Sequence, residues 1–235
     1  MAKKAVILAG GLGTRLKPFT DAIPKPLLPV GEKAILELQI ENLARAEFEE
    51  VILATNYKAD YIERFVGDGS RYGIKVTISQ ERERLGTAGP LKLIEEQLQE
   101  RPFLVMNGDI LTTMDMKKMY DYACQESSMF VAAIKEIIMP YAFGRISFSG
   151  NQITDIEEKP SITTYALAGI YVLKPEILRF IPKNTYYGID MLLHYMLQNG
   201  MPIIKYDLQE YWVDIGRMDD YERAQKDYPT IGKGK

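Results

Sequence analysis

Residues 4–16 have the sequence KAVILAGGLGTRL, in which a short apolar run is followed directly by three glycines, a threonine and an arginine. An apolar run without polar alternation predicts a strand buried on both faces, as in a parallel sheet covered by helices. Glycines after such a strand let backbone N–H groups approach phosphate oxygens, and Arg15 adds a forked donor. This stretch therefore predicts an α/β fold with an anion-binding loop at a strand end.

Four later apolar runs have the same character as the first, and they lie at residues 51–54, 74–78, 103–106 and 130–134. The segments between them carry apolar residues at helical spacing, which predicts helices that pack on the sheet. Two such sets are Leu36, Ile40 and Leu43, and Leu91, Ile94 and Leu98. We therefore expect an α/β fold, Rossmann-like, with an open, mostly parallel twisted sheet flanked by helices.

The pattern changes after about Tyr141. Residues 145–148 and 153–157 flank a Ser-Gly-Asn-Gln turn and predict a β-hairpin, which a strand at residues 166–173 follows. We interpret this later region as an inserted β lobe that shares one domain with the region before it, because no linker separates them. The predicted boundaries are about 1–135 for the first lobe, about 136–215 for the inserted lobe, 1–228 for the whole domain and 229–235 for a frayed tail.

The composition excludes several classes of protein. The chain has 235 residues with a net charge of -3 and a pI near 5.4, which argues against the basic face of a nucleic-acid-binding protein. No apolar run approaches the roughly 18 to 20 residues of a membrane-spanning helix. Cys124 is the only cysteine and the N-terminus lacks a signal-peptide pattern, so we expect a cytoplasmic protein that binds neither nucleic acid nor membrane.

The glycine loop fits neither of two common nucleotide-binding motifs. After Gly11 and Gly13, the third glycine of a dinucleotide-binding motif would fall where Leu16 stands, and no GxxxxGK[ST] segment is present. Lys25, in the segment PKPLLPV, adds a compact positive charge near the loop. By itself, such a loop is equally consistent with an ordinary glycine turn.

A longer pattern resolves this ambiguity. Residues 10–20 (GGLGTRLKPFT) and 24–37 (PKPLLPVGEKAILE) resemble the N-terminal motif of the sugar nucleotidyltransferases. The resemblance continues through LGTAGP at 85–90, NGD at 107–109, EEKP at 157–160, AGIY at 168–171 and YWVDIG at 211–216, and it covers nearly all of residues 4–225. The segments LGTAGPL and YWVDIG are most similar to the mannose-1-phosphate guanylyltransferase-like subgroup.

The resemblance implies an enzyme that transfers a nucleotidyl group from a nucleoside triphosphate to a sugar 1-phosphate and releases pyrophosphate. It implies catalytic roles for Arg15, Lys25 and Asp109. The residues implied in nucleotide binding are Leu8, Ala9, Gly10, Gly11, Gly13, Thr14, Gln80, Gly86 and Thr87. Those implied in sugar-phosphate binding, within the inserted lobe, are Gly144, Glu158, Lys159 and Gly169.

Asp109 and Asp214 are the predicted metal ligands. Two carboxylates brought together can bind Mg²⁺ through oxygen, with water and substrate phosphates as the remaining ligands. Either aspartate alone is consistent with a turn residue. The joint pattern favours Mg²⁺ as the cofactor, whereas His194, the single histidine, is given no role.

The substrates are less closely defined. GTP and a mannose- or manno-heptose-type sugar 1-phosphate are favoured, but a dTTP- or UTP-dependent enzyme and a CTP-dependent cytidylyltransferase are alternatives. Leu167 stands where the subgroup often has asparagine, which leaves the sugar open. A catalytically silent, nucleotide-sugar-sensing subunit is disfavoured because the implied Arg, Lys and Asp residues are all present. A homo-oligomer is compatible with the sequence.

Overall fold

The computed structural model describes residues 2–231. Its strands are β1 (Lys4–Leu8), β2 (Pro29–Val30), β3 (Lys33–Ala34), β4 (Glu50–Thr55), β5 (Lys75–Gln80), β6 (Phe103–Asn107), β7 (Ile110–Thr112), β8 (Phe130–Pro140), β9 (Arg145–Ser149), β10 (Gln152–Glu157), β11 (Ser161–Leu173), β12 (Ile204–Asp207) and β13 (Trp212–Asp214). Its α-helices are α1 (Phe19–Ala22), α2 (Ile35–Arg45), α3 (Ala59–Val66), α4 (Gly89–Leu93), α5 (Met116–Gln125), α6 (Ile189–Gln198) and α7 (Met218–Ile231).

A seven-stranded sheet in the order β12-β8-β11-β6-β1-β4-β5 forms the centre of the molecule. Four of its six strand pairings are parallel, and β11 is antiparallel to both of its neighbours. The predicted open, mostly parallel α/β fold is confirmed. The sheet extends in both directions from β1, so the loop after β1 lies where the direction of strand succession reverses.

Helices cover both faces of this sheet. One face packs against α2, α3 and α5 in a cluster that includes Leu36, Ile62 and Met119. The other packs against α4 and α6, with Leu91 and Leu192 in a second cluster. Burial on both faces explains why the central strands are apolar without alternation.

Two local features differ from the sequence prediction. The segment that carries Leu91, Ile94 and Leu98 is not one helix, because α4 ends at Leu93 and a 3₁₀ turn follows at Glu95–Gln97. All three side chains are nevertheless buried in one cluster. At the C-terminus, α7 continues through Pro229 to Ile231, since Tyr228 and Ile231 pack against a third apolar cluster. Residues 232–235 of the predicted tail lie outside the described residues.

The inserted region contains the predicted hairpin. Strands β9 and β10 pair with each other in a separate two-stranded sheet. They connect β8 to β11, whose paired ends extend from the central sheet as an antiparallel ribbon, with Ser161 opposite Pro140. None of the helices described is both long and apolar enough to cross a membrane.

Candidate active site

The glycine loop curls over the segment that carries Lys25. Gly13 has a φ of 61°, in the left-handed region, and a Cβ there would lie 2.7 Å from Thr20 Cγ2. Its carbonyl accepts hydrogen bonds from the Leu16 N–H and the Thr20 hydroxyl, both at 2.9 Å. Only glycine fits this position without strain. The loop therefore has a fixed shape, and its backbone is open to an adjacent cleft.

This first cleft has a volume of about 440 Å³ and lies beyond the carboxyl ends of β1, β4, β5 and β6. Seven of the nine predicted nucleotide-binding residues line it, namely Leu8, Gly10, Gly11, Gly13, Thr14, Gly86 and Thr87. Ala9 instead is buried beneath the loop, where its N–H donates to the Ala54 carbonyl at 2.7 Å. Gln80 is exposed and is not part of the cleft lining.

The opposite wall of the first cleft is the loop at residues 85–89. The N–H groups of Ala88 and Gly89 both donate to the Tyr187 carbonyl at 2.9 Å. The Thr87 hydroxyl accepts from the Ile189 N–H at 2.8 Å, at the start of α6. Within residues 2–231 the hydroxyl donates no hydrogen bond, so it can donate one to a ligand in the cleft.

Asp109 and Asp214 lie side by side although they are far apart in sequence. Asp109 follows β6 through the turn at Gly108 and leads into β7, which pairs antiparallel with β13 so that Ile110 lies opposite Asp214. The Ile215 N–H donates to the Asp109 carbonyl at 3.0 Å. A pair of three-residue strands thus holds the two carboxylates together at the edge of the first cleft.

The charges around this pair suit a cation. Lys25 Nζ lies 2.5 Å from Asp109 Oδ2, whereas Asp109 Oδ1 is buried without a hydrogen-bond partner in residues 2–231. Burial, followed by the negative charge of Asp109, raises the pKa of Asp214 to about 6. A divalent cation would satisfy the unpartnered oxygen and relieve this repulsion. Residues 2–231 contain no cluster of three metal-binding side chains, so further ligands would have to come from water and substrate.

A second cleft, of about 530 Å³, is lined by Arg15, the residue after Thr14 of the first cleft, and by Asp214. Arg217 and Arg223 also line it. The Arg15 guanidinium is exposed and makes no hydrogen bond or ion pair in the part of the chain that the structure describes. The second cleft therefore presents cationic groups to an anionic ligand next to the carboxylate pair.

The predicted sugar-side residues fall into two groups. Gly169 has a φ of 70°, and a Cβ there would lie 2.7 Å from Asn107 Nδ2, which ties β11 to the turn that carries Asp109. Gly144, Glu158 and Lys159 are exposed at the base of the β9–β10 hairpin, where a Cβ on Gly144 would lie 3.3 Å from Glu158 Oε2. These three residues line neither cleft.

The sequence of the chain also matches a protein-family model whose described chemistry suits this arrangement of loop, clefts and carboxylates. Residues 4–231 match the family described as nucleotidyl transferase. The chain belongs to this family. The family predicted from the sequence is confirmed.

Proteins with sequences similar to this chain include two mannose-1-phosphate guanylyltransferases. The chain is 36% identical over 228 residues to the mannose-1-phosphate guanylyltransferase catalytic subunit beta of Danio rerio. It is 33% identical over 226 residues to the mannose-1-phosphate guanyltransferase of Saccharomyces cerevisiae. Each match covers 93% of this chain, which spans only 62% of the length of either relative.

Solved structures of similar proteins share the fold over almost the whole chain. HddC from Yersinia pseudotuberculosis, complexed with GMP-PN, is 28% identical with a TM-score of 0.76, over 97% of this chain and 100% of that one. A Bacillus anthracis protein assigned as a glucose-1-phosphate thymidylyltransferase, in complex with a sucrose, is 25% identical with a TM-score of 0.81. That match covers 100% of this chain and 98% of the other.

Sequence reasoning missed one residue of the candidate site, Glu81. Glu81 is buried and lines the first cleft, and its Oε2 accepts the Leu85 N–H at 3.0 Å. Burial raises the pKa of this carboxyl, and the Leu85 hydrogen bond acts in the opposite direction. Successive residues of an extended chain point in opposite directions, so only one of Gln80 and Glu81 can face the cleft. Alternation along β5 is the signal that could have identified Glu81.

Proposed function

We propose that this chain transfers a nucleotidyl group from a nucleoside triphosphate to a sugar 1-phosphate and releases pyrophosphate. The observation that carries this proposal is the pair Asp109 and Asp214, held together at the strand ends beside a glycine loop. Carboxylates that bind a divalent cation, next to backbone N–H groups that bind phosphate, are what phosphoryl chemistry requires. The family match and the named relatives support the same reaction.

The triphosphate binds in the first cleft, along Gly10, Gly11 and Gly13. Asp109 and Asp214 fit Mg²⁺ because one Asp109 oxygen has no partner and the two carboxylates repel each other. When bound, Mg²⁺ supplies positive charge that stabilises the reacting phosphates. Lys25, which pairs with Asp109, provides further positive charge at the transferring phosphoryl group, and Arg15 binds the leaving pyrophosphate.

The reaction itself needs no general base from the protein. An oxygen of the sugar phosphate, already ionised near neutral pH, attacks the α-phosphorus, and the bond from that phosphorus to pyrophosphate breaks. The protein's task is to hold two anions in line and to stabilise charge at phosphorus. Lys159 and Glu158 bind the attacking sugar phosphate, the lysine at the phosphate and the carboxylate at sugar hydroxyls.

GTP is the proposed nucleotide, and Glu81 rather than Gln80 is the proposed base-reading side chain. A carboxylate offers two acceptor oxygens, and guanine presents two adjacent donors, N1–H and the N2 amino group. Uracil and thymine present one ring N–H between two carbonyl oxygens, which a carboxylate repels. The buried position of Glu81 in the cleft wall, the guanylyltransferase relatives and the GMP-PN complex of HddC support GTP.

The sugar is proposed to be of the mannose or manno-heptose type, in line with the named relatives. Leu167, next to Ala168 and Gly169, is 44% exposed and offers an apolar contact near the turn that carries Asp109. We also propose that the chain works in the reducing cytoplasm, since its one cysteine, Cys124, is free.

A substrate matrix tests the proposal. GTP, dTTP, UTP, CTP and ATP are each mixed with mannose 1-phosphate, manno-heptose 1-phosphate and glucose 1-phosphate in the presence of Mg²⁺, and pyrophosphate release is measured. The highest kcat/KM is expected for GTP with a manno-configured sugar. A tenfold preference for a pyrimidine nucleotide would overturn the GTP assignment. Absence of pyrophosphate release with every pair would overturn the proposed reaction.

A further inference from the structure

The β9–β10 hairpin has one apolar face that the rest of the described chain leaves uncovered. Phe148 lies opposite Ile153, and Ile146 lies opposite Ile156. Cross-strand partners point to the same side of a hairpin, so these four side chains share one surface. We call this surface, formed by Ile146, Phe148, Ile153 and Ile156, the hairpin face.

A β-bulge creates this arrangement. Ile153 and Ile156 are three residues apart and would point to opposite sides of a regular strand. The register shifts between Ile153 and Asp155, so the extra residue returns Ile156 to the side of Ile153. The other side of the hairpin is polar and includes the ion pair of Arg145 with Glu157. The hairpin is therefore amphipathic, as is typical of a strand pair that packs one side against an apolar surface.

The hairpin face is open to solvent. Its four side chains, in sequence order, are 51%, 72%, 55% and 65% exposed. Ten of the 18 large hydrophobic side chains that are exposed among the described residues lie between Ile138 and Leu167, including these four. The four that share the hairpin face form a contiguous apolar patch, which marks an interaction site rather than scattered surface residues.

We propose that the hairpin face packs against the hairpin face of a second copy of this chain. At roughly 150–200 Å² for each fully exposed side chain of this size, the four present about 400 Å² per copy. The proposed interface also includes Tyr141 and Phe143, which are exposed in the segment between β8 and β9, and two copies would then bury about 1,000 Å², the lower end of specific interfaces. The same patch on both subunits is the usual geometry of a twofold dimer.

Charge and edge structure favour a second copy over other partners. The hairpin face carries no charge, and residues 145–157 contain one arginine against Asp155 and Glu157, which does not suit an anionic membrane surface. Each strand of the two-stranded sheet also has an unpaired outer edge in the described structure. An isolated hairpin is only marginally stable in water, so burial of its apolar face against an identical hairpin stabilises it.

Sedimentation velocity and light scattering of the full chain at micromolar concentrations test the proposal. The expected mass is twice 26.8 kDa. Phe148→Glu and Ile156→Glu should each weaken the dimer by at least about a hundredfold, because they bury an unpaired charge. The matched control is Leu197→Glu on α6, since Leu197 is 66% exposed and lies outside this surface. Circular dichroism verifies that all three variants are folded.

A wild-type chain that stays monomeric up to about 100 µM, or Glu variants that remain dimeric, would overturn the proposal. Binding of the monomeric chain to anionic phospholipid vesicles would also overturn it, since the hairpin face would then have a different partner. Dimerisation is measured without substrates, so either result leaves the proposed nucleotidyl transfer untouched.

Discussion

The two sides of the candidate site are built in contrasting ways. Asp109 and Lys25 belong to segments rooted in the buried sheet and the clusters beside it, and they already form an ion pair. Glu158 and Lys159 lie at the base of a hairpin whose residues are all exposed. Segments with few buried contacts open at low free-energy cost, whereas core strands open only with global unfolding. The proposed nucleotide side is thus preorganised by the fold, whereas the proposed sugar side has few buried contacts to hold it in place.

The contrast is sharpest for the carboxylate pair. Asp109→Asn and Asp214→Asn are each expected to lower kcat by about tenfold to a thousandfold, the loss that follows from one electrostatic contact in the transition state. Both changes keep the size of the side chain. The measurement is pyrophosphate release at saturating substrates, with the exposed Asp219→Asn as the control. Wild-type turnover in either variant would remove that residue from the proposed metal site.

On the sugar side, Lys159→Ala is expected to raise KM for the sugar 1-phosphate by about tenfold or more, the loss of one charge-assisted contact. KM for GTP should change little, because Lys159 lies outside the first cleft. Lys183→Ala, another exposed lysine, is the control. If Lys159→Ala weakens GTP binding and leaves sugar-phosphate binding unchanged, the assignment of Lys159 to the sugar phosphate is wrong.

Gln80, the last residue of β5, and Glu81, which follows it, allow a matched test of which side chain selects the nucleotide base. Glu81→Gln is expected to lower the ratio of kcat/KM for GTP to that for UTP by about tenfold, since one unmatched polar contact costs about 1–3 kcal/mol. Gln80→Glu should leave the ratio unchanged, because Gln80 is exposed outside the cleft. If Gln80→Glu changes the ratio more than Glu81→Gln does, then Gln80, the residue first predicted from the sequence, contacts the base.

The smallest expected effect concerns stability without metal. The pKa of Asp214 is raised to about 6 in the folded chain, so its ionised form destabilises the fold above that pH, and the penalty disappears as pH falls toward the unfolded value near 4. Asp214→Asn should therefore raise the free energy of unfolding by about 1 kcal/mol at pH 7.5 in EDTA, after allowance for solvent screening. For a chain of this size, that gain raises the melting temperature by about 2–4 °C. The difference should vanish near pH 4. A variant less stable than wild type at pH 7.5 would contradict this account.

Periodicity and local motifs predicted much of the fold. The apolar run of β1, the hairpin at residues 145–157 and the helical spacing in α2 are all found where the sequence indicates them. Seven of the nine predicted nucleotide residues also line one cleft, because they follow buried strands whose carboxyl ends meet. These features depend on residues close together in sequence, so their pattern is visible in the chain itself.

By itself, the sequence determined the family, the glycine loop and the segments that surround it. The tertiary structure decided which distant groups meet. Strands β7 and β13 are three residues each, too short for a periodic signal, yet their pairing brings Asp214 to Asp109. The direction in which the Glu81 side chain points, into the first cleft, likewise follows from how the whole sheet packs. So does the exposure of the hairpin face. Hydrophobic burial sets those long-range pairings collectively, so no local stretch of sequence encodes them alone.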